Sequence, residues 1–213
     1  MGRNIVQIND LLRFIIRKER GAFITIEEAD SSLDAGQLDA FSDYFKMYGE
    51  TQQVHDALRP FRVRQAFTSD SNGLVTFESD YLHMLPDVYT VTGSTINKVR
   101  FVNEDEFVTA RTSQLRPVST SRPIAKDASN GFYLYPEVSQ GGFYTYLRRP
   151  ATPRYAYTIV DRVVTYDEAN STQIEFSDIY INNIIAKALK YYSINLGEQD
   201  IMQFAEMQDF QTK

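Results

Sequence analysis

The stretch from Gly131 to Tyr166 constrains the fold of this chain most. It holds nine of the 28 aromatic residues (14 Tyr, 14 Phe, no Trp) of a 213-residue sequence, at near-alternating positions interrupted by Gly and Pro. A period of two sends successive side chains to opposite faces of an extended backbone, so short strands fit this pattern and a long helix does not. No nucleophile with its base, metal cluster or phosphate loop lies nearby. What the stretch offers is a surface rich in Tyr and Arg, suited to contact more than to chemistry.

Both ends of the chain read as helical. Ile5, Ile8, Leu11, Leu12, Ile15 and Ile16 recur at helical spacing until Gly21, a C-cap candidate. Thr25 with Glu28 three residues on makes a capping-box pattern that opens a second helix. Phe41, Tyr44, Phe45 and Tyr48 place an apolar stripe, read as core, on a third, which stops before Pro60. Near the other end Ile181, Ile184, Ile185, Ala188, Leu189 and Tyr192 mark a further helix. Asn195 with Glu198 caps a final amphipathic segment through Ile201, Phe204 and Ala205. Between these ends, Asp70-Ser71-Asn72-Gly73 suggests a hairpin joining 62–68 to 74–77. Further strands are expected at 96–102, 132–135, 143–147 and 155–166, and a short helix at 104–115. The expected fold is α+β, with helices from both termini packed with a central, mainly antiparallel β-region. Its segments are 1–60, helical; 61–176, β-rich, with a long loop or arm at 116–130; and 177–213, helices packing back on the same domain.

At 43% hydrophobic the chain can bury a real core, and no run of 18 apolar residues marks a membrane span. Its first residues lack an apolar signal-peptide region, so a soluble chain of cytoplasmic origin is expected. With no cysteine, disulfides, Cys-ligated zinc and thiol catalysis are excluded together. The net charge of −6 is unevenly spread: residues 1–97 carry 9 basic and 14 acidic side chains, 98–162 carry 10 and 6, and 163–213 carry 3 and 8. The aromatic region is therefore the basic one. Such segregation either serves partners of opposite sign or marks solvated helix faces.

Catalytic motifs are missing from the sequence: no Walker loop, no Gly-x-Ser-x-Gly elbow, no His-Glu-x-x-His pair. Asp70-Ser71-Asn72-Gly73 resembles the start of a calcium loop without its remaining ligands and reads as a turn. His55 and His83 come with no nucleophile or metal cluster and read as structural. Glu104-Asp105-Glu106 is a charged helix start, favoured there by the helix dipole. No enzymatic activity and no cofactor or metal are expected. The contact candidates are Tyr144, Tyr146, Arg148, Arg149, Arg154 and Tyr155. The four residues from Pro150 to Pro153 suggest a turn that projects from adjacent strands and carries the arginines to a neighbouring chain.

The order of several short runs resembles structural proteins of tailed bacteriophages. These are Arg17-Lys18-Glu19-Arg20-Gly21-Ala22-Phe23-Ile24-Thr25, Asp39-Ala40-Phe41 with Tyr44-Phe45, Asp56-Ala57-Leu58-Arg59-Pro60-Phe61 and Asp80-Tyr81-Leu82-His83. The likeness continues through Arg122-Pro123-Ile124-Ala125, Tyr144-Thr145-Tyr146-Leu147-Arg148-Arg149-Pro150 and Thr172-Gln173-Ile174-Glu175-Phe176 to the closing helices, nearly the whole chain. The family it resembles is the small ring proteins joining capsid to tail in crAss-like and related phages of gut Bacteroidetes. That resemblance implies a virion structural role at the head-tail junction, after assembly in the host cytoplasm. It implies a ring of about twelve copies close to the portal protein and other connector or tail ring proteins, with phage DNA ejected through the channel unbound. No membrane partner follows from it. An acidic chain suits such a conduit, because each firm phosphate contact adds affinity and friction. Two rival uses of the central Arg/Tyr patch are a tail-associated carbohydrate-binding module and a nucleic-acid-binding module. The lack of Trp weighs against the first, and a pI of about 5.0 with acidic flanks against the second.

Overall fold

A computed structural model describes residues 3–20, 24–161 and 163–196, with backbone alone for 18–20 and 193–196. In chain order the elements are α1 (Ile5–Arg20), α2 (Ile26–Lys46), α3 (Gln52–Leu58), β1 (Arg62–Thr68), β2 (Leu74–Thr76), β3 (Tyr81–Thr92), β4 (Thr95–Lys98), β5 (Arg100–Phe101), α4 (Glu104–Thr112), β6 (Ile124–Ala128), β7 (Gly131–Tyr135), β8 (Gly141–Arg148), β9 (Tyr157–Val160), β10 (Val163–Tyr166) and α5 (Asp178–Leu196). The fold is α+β. It divides into a helical unit, residues 1–60 with 150–213, and a β unit, residues 61–149. The first boundary falls at Pro60. The second falls after Arg149 and not at 176, so the 150–176 segment belongs with the terminal helices.

In the helical unit, Ile5, Ile8, Leu12 and Ile16 of α1 are fully buried, the stripe that their spacing demands. The capping box is formed: Thr25 Oγ1 accepts from Glu28 N at 3.2 Å, and Glu28 Oε2 accepts from Thr25 N at 2.9 Å. The expected second and third helices are partly one. Phe41, Tyr44 and Phe45 lie on α2, because nothing between Thr25 and Lys46 stops a helix except Gly36, and Gly36 is used for packing. A Cβ at Gly36 would sit 2.7 Å from Ala188 N and 2.8 Å from Ile184 O, so the backbones of α2 and α5 touch there. The break comes after Lys46. Gly49 adopts a left-handed φ of 95°, and the Thr51 side chain caps α3. On α5 all six residues of the sequence stripe are buried. Lys187, also buried, donates to Asp39 Oδ2 at 2.8 Å and Asp43 Oδ2 at 2.7 Å. The Gly21 cap and the Asn195/Glu198 helix lie outside the described residues or their described side chains.

The β unit holds two four-stranded sheets, ordered β1-β8-β3-β4 and β2-β7-β6-β5, antiparallel except for β5 with β6. Val88, Tyr144 and Tyr146 from the first sheet meet Val75, Ala125, Phe132 and Leu134 from the second in one core. Asp70–Gly73 is a turn but not a hairpin, since β1 pairs with β8 and β2 with β7. It carries the chain from one sheet to the other, because Val63 and Phe67 of β1 and Val75 of β2 reach the same core from different sheets. Asp70 Oδ1 accepts from Asn72 N and Leu74 N at 2.9 and 2.7 Å, and Gly73 takes a φ of 78° against the Leu134 carbonyl. The expected arm at 116–130 is shorter than its polar composition implies. Its residues 124–128 form β6, held between β5 and β7, where Ile124 and Ala125 are buried. The sequence also gives no warning of β3, since Pro86 interrupts it. That proline falls where the β3–β8 register shifts between Met84 and Val88, a place where a missing ladder donor is tolerated.

Candidate functional site

The six contact candidates fall in two environments. Tyr144 and Tyr146 are corrected from surface to core, with relative exposures of 1% and 2%. Both lie on β8, whose residues 144–147 are all buried because the strand is central in its sheet, flanked by β1 and β3. The Tyr146 hydroxyl donates to Asp80 Oδ1 at 2.8 Å; burial first, and then that carboxylate, push its pKa up. Arg148 is half-buried at the strand end, its guanidinium 5.8 Å from the Phe61 ring centre, a cation-π arrangement. Arg149 is exposed, and its backbone N–H donates to the Asp80 carbonyl at 2.7 Å.

Arg154 and Tyr155 belong to the helical unit. The expected projecting turn at 150–153 is not formed: Pro150 and Pro153 are buried, and the segment, which has no regular secondary structure, is held by a set of hydrogen bonds. Gln37 Nε2 donates to the Ala151 carbonyl at 2.8 Å, Ala151 N to Glu175 Oε2 at 2.9 Å and Tyr155 N to Asp30 Oδ2 at 2.9 Å. Arg154 exchanges backbone hydrogen bonds with Thr172. Proline lacks a donor, so a segment carrying two of them is satisfied by side chains reaching across to it and not by a ladder. Burial raises the Asp30 carboxyl above the ordinary carboxylate value, with the Tyr155 amide pulling the other way. Arg154 is exposed, while Tyr155 is half-buried, its ring 5.1 Å from that of Tyr166.

Sequence reasoning missed the most conspicuous surface. The single strand expected at 155–166 is a hairpin in which β9 and β10 pair Val160 with Val163 and Ile159 with Val164. Asp161, with a φ of 49°, supplies the left-handed turn residue. Its base is anchored: the Tyr157 hydroxyl donates to Glu27 Oε1 at 3.3 Å and Gln173 Nε2 to the Tyr166 hydroxyl at 3.1 Å. Its tip is bare. Ile159, Val160, Val163 and Val164 are 65%, 60%, 62% and 55% exposed. Adjacent cross-strand pairs face opposite ways, so apolar surface lies on both faces of the ribbon, and each strand is a sheet edge. The signal was present in Ile-Val-Asp-Arg-Val-Val: four aliphatic residues around a two-residue turn, with no polar alternation to give the ribbon a wet face.

His55 packs edge-on against Tyr48 at 4.6 Å, and burial lowers the pKa of His83, which favours neutral imidazole. Among the described residues no three His, Asp or Glu side chains are grouped to hold a metal, and no helix is long and apolar enough to cross a membrane. No protein-family model and no curated protein sequence matches the chain.

Proposed function

We propose that this chain is a virion structural protein, one subunit of a closed ring in the portal-proximal head-to-tail connector of a tailed phage, and not an enzyme. The observation that carries the reading is the bare β9–β10 tip. Covering an aliphatic side chain contributes about 1.5–3 kcal/mol, so a partner that buries the four exposed ones gains on the order of 5 kcal/mol. An isolated two-stranded ribbon is itself only marginally stable, which adds to the advantage of being covered. Among the described residues the ribbon is the one two-stranded sheet, beside two of four strands. In the proposed ring it meets a different surface on the next copy, and such head-to-tail contacts close into a ring when the rotation permits. The resemblance to connector ring proteins supplies the setting: about twelve copies, portal and tail ring proteins as neighbours, and DNA passing without specific binding. Burial of Tyr144 and Tyr146 takes two rings away from the carbohydrate or base-stacking platform that the rival uses need.

Electron microscopy of the particle or its purified connector tests the proposal. A cyclic arrangement of this chain at the head-tail junction is expected. A single copy per particle, or copies scattered over the capsid surface, would sink it.

A further inference from the structure

The β unit carries a feature that the proposed function leaves unused, a pocket of about 280 Å³ lined by Lys98, Arg100, Arg116 and Arg122 together with apolar residues that include Val118 and Ile124. Other cations of this unit are engaged. Arg62 pairs with Asp87, Lys126 pairs with Glu104, and Arg64 and Arg111 lie over the rings of Phe143 and Tyr135. The four around the pocket have no ion pair among the described residues, and all four are exposed. Lys98 and Arg100 lie on β4 and β5, and the loop that carries Arg116 and Arg122 is fastened to them. The Asn97 side chain donates to the Thr120 carbonyl at 3.2 Å, Ser119 bridges to Arg122, and Arg100 N donates to the Pro123 carbonyl at 3.2 Å. Four like charges held together repel one another, and an anion relieves that repulsion.

The surroundings discriminate between anions. A neighbouring depression shares Arg100 and Arg116 but is bordered by Asp105 and Glu106, which repel a long polyanion extending out of the pocket. The apolar lining favours a ligand whose charged group sits beside apolar atoms, as in a peptide. Charge complementarity identifies its source: the helical unit carries 12 basic and 19 acidic side chains, a net −7, whereas the β unit carries 10 and 9. We propose that this pocket receives carboxylate side chains presented by the helical unit of a second copy of the chain, a contact that rests on the ring assembly proposed above. Arginine suits the role, since its planar fork meets a carboxylate through two parallel hydrogen bonds.

The anion chemistry is tested on the full chain before assembly, with a short fluorescein-labelled glutamate peptide and a short DNA duplex as probes at low salt. The native chain is expected to bind the peptide, and Lys98→Glu with Arg122→Glu to weaken it roughly tenfold or more by placing like charges together. Arg116→Gln, an exposed loop variant, provides a milder second reading, with a several-fold loss expected. Failure of the native chain to bind the peptide, or tighter binding of the duplex through the same cations, overturns the proposal. The occupant is tested by carbodiimide cross-linking of assembled chains, half of them isotope-labelled. Lys98 joined to an Asp or Glu within 1–60 or 150–213 of the other isotope is expected. Links confined to one isotope would overturn the second-copy occupant while a ring in the micrographs still stood. Loss of the ring reading itself would appear in the micrographs, and it would remove the second-copy occupant even with peptide binding intact.

Discussion

Single side chains in this protein divide between those that hold a unit together and those that face outward, and Tyr146 belongs to the first kind. Its hydroxyl is bound to a carboxylate whose own residue is exposed, so Tyr146→Phe frees Asp80 to water and is expected to cost about 1 kcal/mol. Chemical denaturation checks that figure, and an assembly defect without loss of stability would show that the hydroxyl meets a neighbour instead. Lys187 poses a sharper asymmetry. The lysine side chain is 6% exposed, while Asp39 and Asp43 are 35% and 27% exposed. Removing the carboxylates (Asp39→Asn with Asp43→Asn) leaves a buried ammonium unbalanced by them and should cost ~3 kcal/mol, more than Lys187→Met, which leaves carboxylates that water can reach. Equal costs would argue against a buried ammonium. Partial burial pushes the Asp43 carboxyl up, but hydrogen bonds from Lys187 and Lys46 outweigh it and hold the group below its ordinary 3.8. A carboxyl depressed on folding stabilises the native state above the unfolded value, and that contribution is lost as pH falls through the lower, folded value. The acid limb of a stability profile should therefore flatten in Lys187→Met.

Among the elements, α2 and α5 depend on one missing side chain. Alanine at position 36 would add about 1 kcal/mol of helix propensity on an exposed helix. Here its methyl meets backbone atoms of α5 that cannot turn aside, and overpacking of this kind costs ~1–3 kcal/mol. Gly36→Ala is expected to lower the denaturant midpoint; a raised midpoint would mean that the two helices are farther apart than described. The β9–β10 ribbon behaves in the opposite way. Ile159→Thr with Val164→Thr keeps β-branched residues on the strands and removes apolar surface only where it is bare, so the melting temperature of the isolated chain should move little. Incorporation into particles should fall sharply. Unchanged incorporation would show that the tip is not covered by the next copy.

At the scale of the whole molecule, charge is partitioned with architecture: an acidic helical unit and a nearly neutral β unit that concentrates its unpaired cations around one pocket. Contacts built on such a division weaken with salt, because exposed charges are screened within about 8 Å at physiological ionic strength. Apolar contacts through the ribbon do not. If the proposed ring forms, its dissociation in steps by salt and then by denaturant should reveal the two kinds of contact separately. Charge reversal at Arg148 and Arg149 is a further test of incorporation. Arg148 also lies over Phe61, so the double variant to Glu must be compared with native chain at matched stability.

Local pattern alone determined much of this protein. The stripes of α1 and α5, the Thr25 capping box, the strand character of the aromatic stretch and the lack of catalytic motifs follow from spacing and residue type, which act between near neighbours in the chain. Tertiary structure decided what local pattern cannot carry. Tyr144 and Tyr146 became core because β1 and β3 flank β8, and Asp70–Gly73 became a crossing between sheets because β1 and β2 found distant partners. The 150–155 segment was drawn inward by Gln37, Asp30 and Glu175, each bonded to a residue at least 24 positions away. Alternation says that a strand has two faces, but only the neighbours that arrive on each face determine which is buried. Burial, and with it the surface left for partners, is a property of the assembled sheets and helices and not of the strand.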